Sequence, residues 1–410
     1  MTKLEKMLKY VSEHNEFYKN RIKEYGIKDP LDITQWPVLT RKELQENRYN
    51  MFSDGYKSKY FNQQLRRQSS SGSSGMPVNV YWDYKDWYAS NMSLWRKRLQ
   101  WYGIHPNDKY VMFTLNAFNV TNDGETIYYI KEPANILSIN VSLIQHDSGY
   151  DKLVDIINEF EPKWLYIQPF VLNKLIRAYR QTGKTPPKML KYIESVGELL
   201  TSDIRRKAAD FFNVPIANMY GSEEMNGIAY ESFEHYMHIL DDNVLIEVQN
   251  SKKIAQLGEG EAIITNLNNF GMPLIRYNQG DTIVISKSTS INAEGGRIID
   301  LIKGRILPHI PLDNGREINS LLLFEMMGEI NNQFRDIIFD YTFTYVKSDR
   351  LIICEILIDN RDANWFKSVQ QSIIEDFKRK CKSEGIAILV IPMQDSNMSY
   401  STKKIIKIME

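Results

Sequence analysis

Cysteine is scarce in this chain, which contains only two, Cys354 and Cys381, in 410 residues. Two cysteines cannot form the disulfide framework of a small secreted protein, and they are too few for a four-cysteine zinc site. We therefore expect both to be reduced thiols, as is usual in the cytosol.

Net charge and long apolar runs are also lacking. The 51 basic residues are balanced by 51 acidic residues, so the formal net charge is +0. A neutral chain has no broad positive field that would attract nucleic acid or anionic lipid. No apolar run approaches the roughly 20 residues that span a bilayer, and the polar stretch from Met1 to Tyr18 lacks the apolar centre of a signal peptide. We expect a cytoplasmic protein with neither nucleic acid nor membrane as a partner.

What the chain does contain is an ordinary globular composition, at a length that predicts two or three structural units. Between residues 108 and 220, short apolar strands alternate with amphipathic helices, which predicts parallel sheets with helices on their faces. Residues 245–300 are short β-runs separated by turns, and the tail predicts a compact α+β domain. The predicted fold class is α/β. A large domain over 1–303 has mixed and parallel sheets flanked by helices plus a β-rich subdomain, and a small α+β domain covers 304–410.

A strong helical pattern lies between Tyr84 and Tyr102. Its large apolar residues recur every three or four positions, so they share one face of the predicted helix. An apolar stripe of this kind usually packs into the core, and we expect it to do so here. The stripe consists of Tyr84, Tyr88, Met92, Trp95, Leu99 and Tyr102.

The run "SSSGSSGMP" over residues 69–77 is the most informative local feature of the sequence. Glycines allow tight turns that point successive amide hydrogens inward, and serine hydroxyls add donors, so such a loop can hold phosphate oxygens. Glycine–serine runs are also common as flexible linkers. The loop lacks the spacing of a Walker A motif, and from its residues alone both interpretations stay open.

Two further strings contain polar residues next to predicted strands. In "YGSEE", Glu223 and Glu224 follow a strand, where paired acids can hold Mg²⁺ beside a triphosphate or can simply be solvated. In "PLIRYNQGD", Arg276 and Tyr277 precede Asp281 at an expected turn, where a carboxylate is suited to pair with two ribose hydroxyls. As an isolated string, Gly-Asp is a common turn.

Taken in order, these strings resemble the adenylate-forming superfamily, and most closely its phenylacetate–coenzyme A ligase branch. The similarity comprises the serine–glycine loop "SSSGSSGMP", the segment "SVGELLTSDIRRKAADFFNVPIANMYGSEE", the string "PLIRYNQGD" and the opening "NEFYKNRIKEYGI…WPVLTRKEL". It extends over essentially the whole chain. The resemblance implies an ATP- and Mg²⁺-dependent ligase that activates a small carboxylic acid as its acyl-adenylate and transfers the acyl group to a thiol, either of coenzyme A or of a carrier protein.

The resemblance also implies where the nucleotide binds. Gly197 and Glu198 would lie against the adenine, and Tyr220 would stack on it, with Gly221 and Ser222 in the same motif. The loop residues implied to hold the β- and γ-phosphates of ATP are Ser71, Gly72, Ser73, Ser74 and Gly75.

The remaining implied roles concern the metal, the ribose and the tail. Glu224 would bind Mg²⁺, Asp281 would bind the ribose hydroxyls, and Arg305 would approach the ribose or a phosphate near a hinge. Lys404, with Lys403 as its rival, would be the lysine of a mobile C-terminal domain that contacts the substrate carboxylate and the α-phosphate during adenylation.

Three departures from the family pattern stand out. Met76 occupies the place of the usual lysine of the phosphate loop, and the string around Lys404 lacks the family's glycine and one arginine. The segment "YESFEHYMH" offers His235 and His238 but no cysteine, so we expect no structural zinc there.

Several alternatives follow. The acceptor is a thiol, or instead an amine or hydroxyl in a biosynthetic pathway, and a degenerate relative would bind nucleotide without catalysis. The acid itself is not readable from the sequence, although the segment containing Asn116, Phe118 and Asn119 is a candidate for its pocket. A homodimer is expected from the resemblance.

Overall fold

The structure is a computed structural model, and it describes most residues of the chain. The described residues are 1–69, 78–114, 129–132, 135–144, 149–251, 253–288, 296–305, 310–311, 317–318, 320–334, 337–358, 363–381, 385–393 and 406–409.

Within these residues, several α-helices begin or end at capping residues. Thr2 and Thr40 each form a capping box, with Glu5 and Glu43 respectively. Glycine in the left-handed conformation ends three helices, as at Gly183 with φ of 67°. The helices are α1 Lys3–His14, α2 Glu16–Tyr25, α3 Arg41–Glu46, α4 Tyr56–Phe61, α5 Tyr84–Tyr102, α6 Tyr150–Phe160, α7 Pro169–Thr182, α8 Ser202–Phe212, α9 Ser320–Gln333 and α10 Ala363–Cys381.

The strands are mostly short and rich in β-branched and aromatic residues, which suits a pleated, buried surface. Those described are β1 Arg66–Ser69, β2 Asn79–Trp82, β3 Tyr110–Thr114, β4 Tyr129–Glu132, β5 Ile136–Asn140, β6 Trp164–Ile167, β7 Tyr192–Val196, β8 Ile216–Ser222, β9 Asn226–Glu231, β10 Met237–Ile239, β11 Val244–Asn250, β12 Lys253–Ala255, β13 Gly258–Asn266, β14 Tyr277–Lys287, β15 Arg297–Arg305, β16 Ile310–Pro311, β17 Glu317–Ile318, β18 Ile338–Val346, β19 Leu351–Ile358, β20 Ala387–Pro392 and β21 Ile406–Met409.

The contacts divide the chain into two compact units, and the first combines Met1–Pro106 with Ala217–Arg305. Its strands run in the order β12-β11-β13-β14-β15-β10-β9-β8, and neighbours are antiparallel. A separate hairpin joins β1 to β2. Helix α1 and the segment around Trp36 and Leu39 bury their apolar side chains against this sheet, with Tyr277 in the same core. The N-terminal lead-in is therefore part of this core.

The second unit combines Asn107–Ile216 with Ile306–Glu410. In its first part, β7, β6, β3 and β5 are parallel neighbours, and β4 adds an antiparallel edge. Helices α6, α7 and α8 cover this sheet with a continuous apolar core. In its second part, the sheet β20-β19-β18-β21 packs with α9 and α10 around both cysteines, which are buried.

These observations confirm the predicted α/β fold class, including the strand–helix alternation before residue 220 and the α+β tail. The predicted domain boundary after residue 303 falls inside β15 and stays a prediction. Among the described helices, none has both the length and the hydropathy required to cross a membrane.

The apolar stripe of α5 contradicts one expectation. The helix has the predicted bounds, but its stripe does not lie in the core, because Tyr88 is 62% and Met92 56% exposed. The opposite side of the helix is buried instead, and it includes Lys97 and Arg98 as well as Leu94 and Trp101. Periodicity correctly predicted that the stripe shares a face, but it could not tell which face turns inward.

Candidate functional site

The "YGSEE" motif spans the end of β8 and the start of its connection to β9. The antiparallel register of these strands shifts between Tyr220 and Gly221, so the connection is irregular. A Cβ atom on Gly221 would lie 2.4 Å from the backbone oxygen of Asn226, which no side chain tolerates. Glycine is therefore required at this position for the two strands to approach each other.

Tyr220 and Asp281 are joined by a buried hydrogen-bond network. The Tyr220 hydroxyl donates to Oδ2 of Asp281 at 2.8 Å. The side-chain amide of Gln279 donates to the same carboxylate oxygen at 2.7 Å and to the Tyr220 hydroxyl at 3.2 Å. Ser222 Oγ donates to Oε1 of Gln279 at 2.9 Å. Gln279, which the sequence did not single out, thus fixes the positions of three predicted site residues.

Asp281 lies within β14, although the sequence predicted a turn at this position. Gly280 has φ of 85°, a conformation that favours glycine, and the pairing of β14 with β15 is irregular just beyond, between Thr282 and Ile283. The Gly-Asp pair therefore marks a distortion in a long strand. Across the ladder, Asp281 lies opposite Arg305, the residue implied to approach the ribose or a phosphate.

Glu224 is buried, with only 2% of its surface exposed. The Tyr277 hydroxyl donates to its Oε1 at 3.3 Å, and Nη1 of Arg41 lies 4.0 Å from the same atom. Both of these contacts are made to Oε1. Mg²⁺ in nucleotide sites is held by one or two carboxylates plus phosphates and water, so a single carboxylate here fits such an ion.

The stem of the serine–glycine loop lies beside this motif. Gln68, at the end of β1, donates to Oε2 of Glu223 at 2.9 Å and to Oδ1 of Asn226 at 3.3 Å. Strands β1 and β2 pair on either side of residues 70–77. The predicted phosphate-loop residues Ser71 to Gly75 are outside the described part of the chain, but the loop starts next to "YGSEE".

The N-terminal segment completes this arrangement of the first unit. Leu39 pairs with β14, since its amide donates to the Arg276 oxygen and its own oxygen accepts from the Asn278 amide. Arg276 holds Glu247 through two hydrogen bonds, of 2.9 and 2.6 Å, and also donates to the backbone oxygens of Thr34 and Trp36. This arginine therefore anchors the segment that carries Arg41.

Gly197 and Glu198 belong to the second unit, directly after β7. Gly197 has φ of 78° and is exposed, and Glu198 is half-buried. Gln168 directly follows the neighbouring parallel strand β6 as the N-cap of α7, and its Cγ would lie 3.7 Å from a Cβ on Gly197. Both residues lie at the carboxyl ends of parallel strands, where ligands bind in α/β sheets.

Other predicted residues are outside the described range. These are the tail lysines Lys403 and Lys404, and the acid-pocket candidates Asn116, Phe118 and Asn119. The sequence patterns did not indicate Arg41, Tyr277 or Gln279 as neighbours of the site. Tyr277 was visible in the "PLIRY" string, but its contact with Glu224 depends on the pairing of distant segments.

No family model matches the chain, but the chain is similar to one curated protein in sequence and to several solved structures in fold. Protein CapK of Staphylococcus aureus is 23% identical over 301 residues, which cover 71% of this chain and 63% of that protein. The chain thus spans about 63% of the length of that relative. A crystal structure of 2-hydroxyisobutyryl-CoA ligase in the postadenylation state, in complex with R3-HIB-AMP, aligns with a TM-score of 0.78 at 14% identity, covering 100% of this chain and 88% of the other. The anthranilate CoA ligase structure in complex with anthranoyl-AMP aligns with a TM-score of 0.55 at 11% identity, covering 82% and 64%. The chain has the fold of the adenylate-forming superfamily.

Proposed function

We propose that this chain uses ATP to activate a small carboxylic acid as its acyl-adenylate, releases pyrophosphate, and then transfers the acyl group to the thiol of coenzyme A or a carrier protein. The observation that carries this proposal is the network in which Tyr220, Gln279 and Asp281 bind one another on strands of this fold. Solved relatives with the same fold hold acyl-adenylates, as in the complex with anthranoyl-AMP.

In this proposal the nucleotide is bound by residues from several parts of the chain. The Asp281 carboxylate accepts hydrogen bonds from the ribose hydroxyls, and Tyr220 stacks on the adenine, with Gly197 and Glu198 beside it. The amides and hydroxyls of Ser71 to Gly75 donate to the β- and γ-phosphates. Because Gln279 already orients Asp281 and Tyr220, little ordering remains when the nucleotide binds.

The first half-reaction then needs little proton chemistry. A substrate carboxylate oxygen attacks the α-phosphorus and forms the acyl–phosphate bond, while the bond to pyrophosphate breaks on the opposite side. Carboxylates are ionised at neutral pH, so no general base is required. The barrier arises mainly from bringing two anions together in line, which positioning and fixed charges reduce.

Fixed charges would come from the metal site and the tail. Mg²⁺ held by Glu224 would neutralise phosphate charge when bound. Lys404 would contact the substrate carboxylate and the α-phosphate, and rotation of the small domain would then withdraw it before acyl transfer. Arg305 would lie near the ribose, in keeping with its place opposite Asp281.

The similarity to the phenylacetate–coenzyme A ligase branch favours an aryl or short aliphatic acid. Transfer to an amine or hydroxyl is the second candidate acceptor chemistry, and a nucleotide-binding protein without catalysis is the third, because Met76 and the Lys404 string depart from the family pattern.

A pyrophosphate-release assay with aryl, short aliphatic and amino acids tests the proposal. We expect ATP- and Mg²⁺-dependent release with at least one acid, and a thioester when coenzyme A is added. Release without a thioester would favour an amine, hydroxyl or carrier-protein acceptor. ATP binding without release for any acid would refute catalysis.

The Lys404→Ala variant tests the tail lysine. We expect it to abolish pyrophosphate release while ATP affinity stays within about twofold, and the matched Lys403→Ala variant should keep activity. Full activity in Lys404→Ala would contradict this assignment.

We also propose that the protein is a cytoplasmic homodimer, in which the exposed stripe of α5 pairs with its copy. Two antiparallel copies of α5, related by a two-fold axis between Ser93 and Leu94, would have Tyr88 of one copy opposite Leu99 of the other and Met92 opposite Trp95. The stripe is therefore self-complementary, as a two-fold symmetric interface requires. Zero net charge adds no long-range repulsion between copies.

A further inference from the structure

The tip of the hairpin formed by β8 and β9 carries Glu224 and is buried. The two strands pair up to Ser222 and Asn226, so residues 223–225 form the tip. Glu224 is only 2% exposed, and Met225 is fully buried. Connections between strands normally run over the surface, because a buried backbone oxygen without a hydrogen bond is costly. The backbone of this tip therefore needs donors from elsewhere in the fold.

Two buried asparagines supply these donors. The side-chain amide of Asn243 donates to the backbone oxygen of Met225 at 3.1 Å and also to that of Gly227. The side-chain amide of Asn266 donates to the backbone oxygen of Glu224 at 3.4 Å. Both asparagines are fully buried. Because one amide group has two donor hydrogens, Asn243 alone holds the backbone at two points.

Neighbouring strands set the positions of the two asparagines. Val244 pairs with Asn266 across β11 and β13, so Asn243 and Asn266 lie at the same end of these strands. The Leu267 amide donates to the backbone oxygen of Asn243 at 3.0 Å, and the side-chain amide of Asn268 donates to its Oδ1 at 2.6 Å. With its oxygen engaged on that side, the side chain of Asn243 directs its donors to the hairpin tip.

Glu224 is thus held both at its backbone and at its carboxylate. Asn266 binds the backbone oxygen, and the Tyr277 hydroxyl donates to Oε1 at 3.3 Å. Asn266 ends β13 and Tyr277 begins the neighbouring strand β14. In metal sites, groups that hold the metal's ligands fix their orientation, and the loss of such groups lowers metal affinity about 10- to 100-fold.

We propose that Asn243 and Asn266 are positioning residues, which hold the tip at residues 223–225 so that the Glu224 carboxylate is presented to Mg²⁺ bound with ATP. This role rests on the proposed function, in which Glu224 binds that ion. The two asparagines act through the backbone of the tip. Their loss should therefore lower the contribution of Mg²⁺ to ATP binding, and it should leave binding of the nucleoside part largely unchanged.

Asn269 offers a matched control, because it is the same kind of group at a different place. It is fully buried, donates to the backbone oxygen of Tyr81 at 3.1 Å and accepts from the Met272 amide at 3.0 Å. Asn266→Ala and Asn269→Ala each remove a buried side-chain amide that joins two segments. Only the first of these variants removes a hydrogen bond to the tip. We expect similar falls in Tm for the two variants.

Calorimetric titration of the full chain with ATP, once with excess Mg²⁺ and once with a chelator, tests this role. The Mg²⁺ gain is the factor by which the ion lowers the Kd of ATP. We expect Glu224→Gln to remove the gain, and Asn243→Ala and Asn266→Ala each to lower it about tenfold or to remove a smaller gain. Asn269→Ala should keep the wild-type gain, and the Kd of AMP without metal should stay within about twofold in all four variants.

Thermal unfolding of each variant shows first that it folds. Asn243→Ala and Asn266→Ala break different hydrogen bonds to the tip, so either variant tests the role if the other does not fold. An unchanged Mg²⁺ gain in the asparagine variants, with the gain lost in Glu224→Gln, would overturn the role of the asparagines and leave the proposed function intact. An equal loss of the gain in Asn269→Ala would also overturn it, because the effect would then follow general destabilisation.

The wild-type chain and Glu224→Gln separate the remaining outcomes. A wild-type chain that binds ATP without any Mg²⁺ gain, or a gain that survives in Glu224→Gln, would refute Glu224 as the metal ligand and the positioning role with it. A wild-type chain that binds no ATP would refute the proposed function as a whole.

Discussion

The buried pair of Arg276 and Glu247 offers a quantitative test of how the N-terminal segment is held. Both side chains are buried and joined by two hydrogen bonds, and Arg276 also donates to the oxygens of Thr34 and Trp36. Changing Arg276 to Met leaves a buried carboxylate without its partner, and breaking such a pair costs about 3–5 kcal/mol. A domain of 150–250 residues loses about 2–4 °C in Tm per kcal/mol, so Tm should fall by about 6–20 °C.

Thermal unfolding followed by tryptophan fluorescence measures this change, since Trp36 lies in the affected segment. The double variant Arg276→Met, Glu247→Leu should recover much of the loss, because no unpaired charge remains buried. The control Lys42→Met removes a surface charge that lies 3.8 Å from Glu46 and should change the free energy of unfolding by less than about 0.5 kcal/mol. A loss below about 1 kcal/mol in Arg276→Met, or no recovery in the double variant, would refute the reasoning.

Two further predictions concern other parts of the first unit. Burial raises the pKa of Asp86 to about 6. Between about pH 4 and pH 6 the folded state therefore keeps a proton on Asp86 that the unfolded chain has lost. Because the folded state binds more protons over this range, the free energy of unfolding should fall as pH rises from about 4 to about 6. Asp86→Asn should remove that fall in urea titrations across this range, and an unchanged slope would contradict the assignment. Met92→Lys should convert the proposed dimer to a monomer in light scattering, whereas Gln100→Lys, an exposed change on the same helix, should not. A monomeric wild-type chain would refute the dimer.

Local sequence patterns predicted many of the helices and strands, because the residues that begin, continue and end such an element lie within or next to it. In α7, the apolar residues that follow Pro169 and the left-handed Gly183 that ends the helix lie within one short stretch, so both limits of the helix have local causes. The strand–helix alternation up to β8 follows from the same kind of signal. Helix α9, by contrast, was not predicted: its window "SLLLFEMMGEINNQ" is apolar on several faces and lacks a clear period.

The orientation of α5 shows where local patterns stop being sufficient. Its stripe predicted burial, yet the structure buries Lys97 and Arg98 and exposes Tyr88 and Met92. Tertiary packing decides which face of a helix is buried, and the sequence of the helix alone does not specify the surface against which it packs. An exposed apolar stripe is then a reason to look for a partner.

In the candidate site, local motifs were sufficient to find some residues but not the residues that orient them. Tyr220, Glu224 and Asp281 were recognisable because their motifs are short, but the residues that orient them were not. Gln279 donates to the Tyr220 hydroxyl across 59 positions. Arg41 lies 4.0 Å from Glu224, two residues after Leu39, which pairs with Tyr277 of β14. Such residues are set by strand register, which periodicity does not encode.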